Sequence, residues 1–136
     1  MATLHLSSGD VANISPLGAE LDETSTSAFF KDPHLEVMRV FLPAGKRMAE
    51  HAVDGPITVQ CIEGEVDIIT GTTHQVIRSH DVLYLAAGVP HALLAIRNTS
   101  ILLTIVLLQS WEAPGPTAER RIDHDNALKA GRTCRV

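Results

Sequence analysis

The sequence predicts an all-β fold, a single domain built as an antiparallel barrel or jelly roll. A chain of 136 residues is the length of one domain. Turn-forming residues recur at short intervals through its middle, and the segments between them are short and rich in β-formers. These intervals leave no room for the helices of about 10–15 residues that βαβ units need. The turns are Pro43-Ala44-Gly45, Asp54-Gly55-Pro56, Glu63-Gly64, Gly71, Gly88-Val89-Pro90 and Asn98-Thr99-Ser100.

The segments between these turns have the pattern of strands. Residues 57–62 show it most clearly, because Ile57, Val59 and Cys61 fall on one face and the polar residues between them fall on the other. Such alternation is typical of a strand with one buried face. We predict strands over residues 35–42, 57–62, 66–70, 82–85 and 91–96.

Residues 101–108 form an apolar segment without alternation. Thr104 is its only polar residue. A strand with one face in water would carry polar residues at every second position, so both faces of this one are expected to be covered. One face would point into the barrel, and the other would meet a partner subunit or a flanking segment of the same chain. Large exposed apolar patches are rare on monomers, so we predict a homodimer.

The two ends differ in composition from the middle. The N-terminal residues mix short apolar stretches with Ser, Thr, Asp and Gly, which predicts one or two irregular strands wrapping the barrel. Towards the C-terminus, a linker rich in proline and glycine precedes residues 117–130, a possible short helix with Thr117 as its N-cap. The predicted division is an N-terminal arm (1–27), a β-barrel (28–110) and a C-terminal extension (111–136).

The bulk properties limit the partners and the compartment. The net charge is −5, and a nucleic-acid-binding protein usually carries a basic patch. Residues 101–108 are too short to cross a bilayer as a helix, and residues 1–20 lack the pattern of a signal peptide. Cys61 and Cys134 cannot form a disulfide framework. We therefore expect a cytoplasmic protein that binds neither nucleic acid nor membrane.

Two segments bearing glycine and histidine carry the functional signal. In the first, GKRMAEHAVDGPITVQCIEG, Gly45 is followed by His51 and the segment ends at Gly64. In the second, HDVLYLAAGVPHALLA, Gly88 precedes His91. The two segments, in this order and with fitting strands between them, resemble the two motifs of the cupin superfamily.

The resemblance spans about residues 35–108 and implies a small stand-alone bacterial cupin of the RmlC-like type, a conical antiparallel β-barrel. It also implies that His51 and His91 face into the barrel from two different strands. In metal-binding cupins, three histidines and one glutamate converge there on iron, manganese, nickel or zinc. The residues expected to line the pocket are His51, Val53, Ile57, Val59 and His91.

The match to the metal-binding motif is partial. His51 stands in the place of the first ligand and His91 in that of the last, whereas Val53 takes the second histidine place and Ile57 the glutamate place. A metal ion on His51 and His91 therefore needs a further ligand, for which His74 and Thr104 are candidates. The second motif departs from the family pattern as well, with His80 for its glycine, Ala86 for its proline and Ala95 for its asparagine.

The carboxylates near the first motif offer no evident ligand. Glu50 precedes His51 and is expected to point outward by strand alternation, and Asp54 lies in a turn. Gln60 is predicted on the face opposite to the pocket, unless a β-bulge reverses it.

Three functions are compatible with this pattern. The first is binding of a small molecule in the pocket, favoured by the apolar residues around two imidazoles. The second is a metal-dependent oxygenase, isomerase or lyase. The third is metal-free acid/base catalysis similar to that of epimerase cupins, with a histidine as base and Tyr84 as the candidate acid.

Overall fold

The computed structural model describes residues 5–108, which contain nine strands and two short 3₁₀ helices. The helices, Gly18–Glu20 and Glu23–Ser25, lie in the N-terminal arm. No helix in this part of the chain is long and apolar enough to cross a membrane. The strands are β1 (Ser27–Lys31), β2 (Leu35–Leu42), β3 (Arg47–His51), β4 (Ile57–Glu63), β5 (Glu65–Thr70), β6 (Thr73–Arg78), β7 (Val82–Leu85), β8 (His91–Ala95) and β9 (Thr99–Val106).

The strands form two antiparallel sheets packed on one core. The five-stranded sheet has the order β1-β2-β9-β4-β7, and the four-stranded sheet has the order β3-β8-β5-β6. Val59 and Ile101 of the first sheet and Val66 and Ile68 of the second are almost completely buried in the core between them. Burial of each such side chain contributes about 1.5–3 kcal/mol to folding. The predicted all-β, single-domain antiparallel fold is confirmed.

The six strands predicted from the pattern all form, and three further strands appear, of which β3 is implied only by the cupin resemblance. Residues 35–42 match β2, and the strand expected over residues 101–108 runs instead from Thr99 to Val106. Neither β1 nor β6 was predicted. β6 is an edge strand with one buried residue, Ile77, so it has no apolar alternation to detect. The expectation of irregular strands before the barrel is wrong for residues 5–26, which contain only the two 3₁₀ helices. The predicted C-terminal helix and Cys134 lie outside the described residues.

The two faces of β9 have different surroundings. Ile101, Leu103 and Ile105 point into the barrel, while Leu102 and Thr104 lie on the outer face of the five-stranded sheet. Both outer residues are half-buried. The absence of alternation therefore reflects a central strand, hydrogen-bonded to β2 and β4, with apolar residues on both faces.

Two of the crossings between the sheets meet at Gly64 and Thr99. The chain passes from β4 to β5 through Gly64 and returns from β8 to β9 at Thr99. Gly64 has a φ of +98°, and a Cβ there would lie 2.4 Å from the carbonyl oxygen of Asn98 and 2.6 Å from Thr99 Cα. The buried Thr99 hydroxyl accepts a hydrogen bond of 3.0 Å from the Glu65 N–H. The Ile96 N–H donates to the Glu65 carbonyl at 2.8 Å, so the two crossings are hydrogen-bonded to each other.

A buried ion pair attaches the N-terminal arm to the barrel. Arg39 is 5% exposed, and its guanidinium lies 3.3 Å from the Glu63 carboxylate. The same guanidinium donates to the Ser15 carbonyl at 2.8 Å. Glu63 in turn accepts hydrogen bonds of 3.0 Å from the N–H groups of Leu17 and Gly18. Each charge is thus compensated by its partner and by backbone dipoles, as burial requires.

We predict that Gly64→Ala destabilises the fold by at least about 3 kcal/mol, because the new Cβ meets backbone atoms and the φ is unfavourable for alanine. The matched control is Gly71→Ala. Gly71 also has a positive φ, +61°, but open space around its Cβ position, so the expected loss is about 1 kcal/mol. Urea denaturation of both variants measures the difference in the free energy of unfolding. An equal loss of stability in the two variants would contradict close packing at the crossing.

Candidate functional site

His51 and His91 are neighbours across a pair of antiparallel strands. They lie directly opposite each other, His51 on β3 and His91 on β8. Their ring centroids are 4.5 Å apart, with the rings tilted by 56°. His91 is 3% exposed, whereas His51 is exposed on the edge strand. The sheet register therefore brings the two predicted histidines together at one place, one at the surface and one in the interior.

The backbone determines which nitrogen each imidazole presents. His91 Nδ1 lies 2.9 Å from the Val89 carbonyl oxygen, and His51 Nδ1 lies 3.1 Å from that of Ala49. A carbonyl oxygen only accepts, so Nδ1 carries the hydrogen in both rings. In the neutral form each Nε2 then keeps its lone pair, and neither Nε2 has a hydrogen-bonding partner among the described residues. Such fixing of one ring nitrogen is typical of histidines that act through the other.

The two rings line a small cavity between the sheets, which we call the histidine cavity. It has a volume of about 40 Å³, room for about three water molecules. All five residues predicted for the pocket line it. The other lining side chains, none of them predicted, are apolar: Val40, Met48, Leu93, Ile101, Leu103 and Ile105. The cavity is therefore apolar apart from two imidazoles and one thioether.

Met48 reaches this cavity because β3 contains a bulge. Met48 pairs with Leu93 and His51 pairs with His91, so three steps along β3 correspond to two along β8. Strict alternation would place Met48 and His51 on opposite faces. The extra residue puts both on the inner side, where both line the cavity. The sequence contains no signal for this bulge.

The residues present do not fit the divalent metal site of the family. The two missing ligand places are occupied by Val53 and by Ile57, which is 4% exposed. No group of three or more His, Cys, Asp or Glu side chains within residues 5–108 could hold a metal ion. The two candidates for a further ligand lie elsewhere. His74 is bonded to Asp67 at 2.7 Å on an exposed edge strand, and Thr104 is on the outer face of β9.

The other polar candidates also lie outside the cavity. Glu50 is exposed, as expected, and Gln60 lies beside Leu102 on the outer face of the five-stranded sheet. Tyr84 is 67% exposed and pairs with Thr58 on that same face. The hypothesis that Tyr84 is an inward acid is therefore wrong, because the register of β7 turns its side chain outward.

A shallow groove adjoins the histidine cavity at the barrel mouth. It has a volume of about 520 Å³ and shares Val53 and Ile105 with the cavity. Its charged lining residues are Lys31, Glu36 and Asp54. Asp54 thus lies at the mouth and not beside the imidazoles. We refer to this feature as the mouth groove.

Cys61 is a core residue. It is fully buried, and burial, reinforced by the negative charge of Asp81, raises the pKa of its thiol to about 11. A thiol with that pKa is protonated at neutral pH and is a poor nucleophile. Its placement between Val59 and the Gly64 crossing agrees with a packing role.

The comparisons bear on the fold. No family model and no curated protein matches the chain. A conserved protein of unknown function from Streptococcus pyogenes is 21% identical, with a TM-score of 0.63 over 83% of this chain and 98% of that one. A cupin superfamily protein from Desulfitobacterium hafniense is 17% identical, with a TM-score of 0.59 over 60% of this chain and 75% of that one.

An RmlC-like cupin protein from Desulfovibrio desulfuricans is 18% identical, with a TM-score of 0.58 over 71% of this chain and 97% of that one. The chain therefore has the cupin fold, as its two motifs implied. Its described residues form one barrel of that fold. His51 and His91 stand at two of the four ligand places of the metal-binding motif that the sequence resembles.

One departure from the second motif has a measurable cost. His80 stands where the family pattern has glycine, and its φ is +79°. It is the only non-glycine residue with a positive φ among residues 5–108, in an exposed turn between β6 and β7. A side chain in this left-handed region is disfavoured by about 1–2 kcal/mol.

We therefore predict that His80→Gly stabilises the protein by about 0.5–1 kcal/mol, the relief of strain exceeding the added chain entropy. Ser79→Gly, in the same turn but without a positive φ, is the control and is expected to destabilise. Thermal unfolding of the two variants tests this. A lower melting temperature for His80→Gly would show that the side chain stabilises the turn in some other way.

Proposed function

We propose that this protein binds a small molecule in the histidine cavity, with His51 and His91 holding the ligand's polar group. The observation that carries the proposal is the pair of imidazoles in a cavity that is otherwise almost wholly apolar. Each imidazole donates a hydrogen bond from Nδ1 to a backbone carbonyl, which leaves its Nε2 available to a ligand. Binding sites for small molecules commonly combine an apolar lining with a few convergent polar groups.

The cavity volume limits what can enter. At about 40 Å³ it accepts a terminal group of a few atoms. The neutral imidazoles would accept a hydrogen bond from a hydroxyl, and protonated ones would donate to a carboxylate. The rest of the ligand would pass Val53 and Ile105 into the mouth groove. The proposed ligand class is a short, mainly aliphatic acid or alcohol.

Binding is favoured here over the two enzymatic alternatives. A metal-dependent oxygenase, isomerase or lyase would need ligands in the places that Val53 and Ile57 occupy. Metal-free acid/base catalysis would need an acid opposite the imidazoles, and Tyr84 points to the other side of its sheet.

We predict that a thermal-shift and calorimetric screen of aliphatic acids and alcohols of two to six carbons finds ligands. His91→Asn and His51→Ala are each expected to weaken binding at least about tenfold, since each removes one of the two polar contacts. His74→Asn is the matched control, because that ring is exposed and lies outside the cavity. Unchanged affinity in both cavity variants would contradict the proposal, and product formation from any hit would assign catalysis instead.

A homodimer is the second part of the proposal, formed through what we call the outer patch. This patch comprises Thr58, Gln60, Val82, Tyr84, Leu102 and Thr104 on the outer face of the five-stranded sheet. Val82 and Tyr84 are 63% and 67% exposed on β7. Gln60 on β4 lies between Val82 and the half-buried Leu102 on β9. Exposed apolar side chains on the face of a sheet favour a subunit contact. With a net charge of −5, we also propose a cytoplasmic location and no nucleic-acid or membrane partner.

Light scattering is expected to give twice the mass of the chain. Leu102→Glu places a charge in the patch and is expected to produce monomers. Leu108→Glu, at another exposed apolar residue but outside the patch, is the control and should remain dimeric. A wild-type protein that is monomeric at working concentration would refute the dimer and leave ligand binding untouched.

A further inference from the structure

The β3 bulge gathers three donor side chains around the histidine cavity. Met48, His51 and His91 all line it. The first two are brought to one side by the extra residue in β3, and His91 lies opposite His51 on β8. The donors are therefore two imidazole nitrogens and one thioether sulfur, a set different from the three histidines and one glutamate of the family motif.

The chemistry of this donor set selects a soft ion. Thioether sulfur favours Cu(I), and imidazole is also a good copper ligand, whereas manganese and similar hard ions require carboxylate or water oxygen. Cu(I) is a d¹⁰ ion and accepts a coordination number of two or three. The cavity offers three donors, which suits such an ion better than one needing six ligands.

The lack of charged side chains around the cavity also favours Cu(I). Its lining residues include no carboxylate, so a bound ion would keep its full positive charge in an apolar surrounding. The cost of desolvating an ion rises with the square of its charge. A divalent ion would therefore cost about four times as much to bury there as a monovalent one.

The separation of the rings is compatible with a shared ion. An ion about 2.0 Å from each Nε2 lies about 3 Å from each ring centroid. With both Nε2 atoms directed at one ion, the centroid distance of 4.5 Å would correspond to a ligand angle near 90°. A three-coordinate angle needs the rings about 1 Å further apart. His51 is exposed on an edge strand and is held by one hydrogen bond to the Ala49 carbonyl, so the strand end can make that movement with the ring.

We propose that Met48, His51 and His91 form a three-coordinate Cu(I) site. The site goes beyond the binding of a small molecule. It uses the same two imidazoles but does not depend on any organic ligand, so the two proposals can fail separately.

The test is an anaerobic titration of the full chain with Cu(I) against a chromophoric Cu(I) chelator. Cys134 is replaced by serine throughout, because a free thiol would compete for copper. We expect one copper ion bound per chain, and we expect His91→Asn to abolish this binding. Met48→Leu, which preserves volume and removes the sulfur, is expected to weaken binding at least tenfold. Met38→Leu, at a methionine outside the cavity lining, is the control and should bind as the parent does.

X-ray absorption at the copper edge provides the second readout. One sulfur neighbour at about 2.3 Å is expected, and it should disappear in Met48→Leu. Three results would each overturn the proposal. They are copper binding that persists in His91→Asn, an absorption signal without a sulfur neighbour, and zinc binding as tight as that of Cu(I). Chelator-treated protein that binds an acid or alcohol but no Cu(I) would refute the copper site alone, and the converse result would refute ligand binding alone.

Discussion

The contact between the two sheet crossings is the constraint on which the barrel depends. Gly64 allows the chain to pass from β4 to β5 within van der Waals distance of the segment that returns from β8 to β9, and Thr99 bonds the two crossings to each other. The registers of β4 with β9 and of β5 with β8 both start from this point. Since β8 is also the partner of β3, the position of His91 relative to His51 follows from a contact at the opposite end of the strand.

The cavity has the strand framework of the cupin fold but only two of the four side chains of the metal-binding motif. The strands still bring the first and last ligand places together, because backbone pairing positions them independently of their neighbours. With Val53 and Ile57 in the places of a histidine and a glutamate, the cavity lining is mainly apolar and has no carboxylate to compensate a doubly charged ion. The two remaining imidazoles keep the backbone contacts that orient them.

The outer surface of the five-stranded sheet is divided between two kinds of environment. Near the buried Arg39, the N-terminal arm is attached by hydrogen bonds to the guanidinium and to the Glu63 carboxylate. Towards β7, the surface carries exposed apolar residues such as Val82. The arm supplies hydrogen bonds to a buried charge pair, whose desolvation would be costly without them. The rest of the face has no such cover within residues 5–108 and is the basis of the proposed dimer contact.

The sequence by itself determined the fold class, the central strands and the two histidines. Strands such as β4 are visible because one face is buried and the residues alternate, and the motif spacing identifies His51 and His91 as a pair. It did not reveal β6, whose single buried residue leaves no periodicity, or the pairing of Arg39 with Glu63, which are adjacent only through sheet packing. Only the tertiary structure decided that Met48 faces the cavity and Tyr84 does not. The physical reason is that the bulge in β3 and the register of β7 are set by pairing with neighbouring strands, and local sequence encodes a side chain's face only as far as alternation continues unbroken.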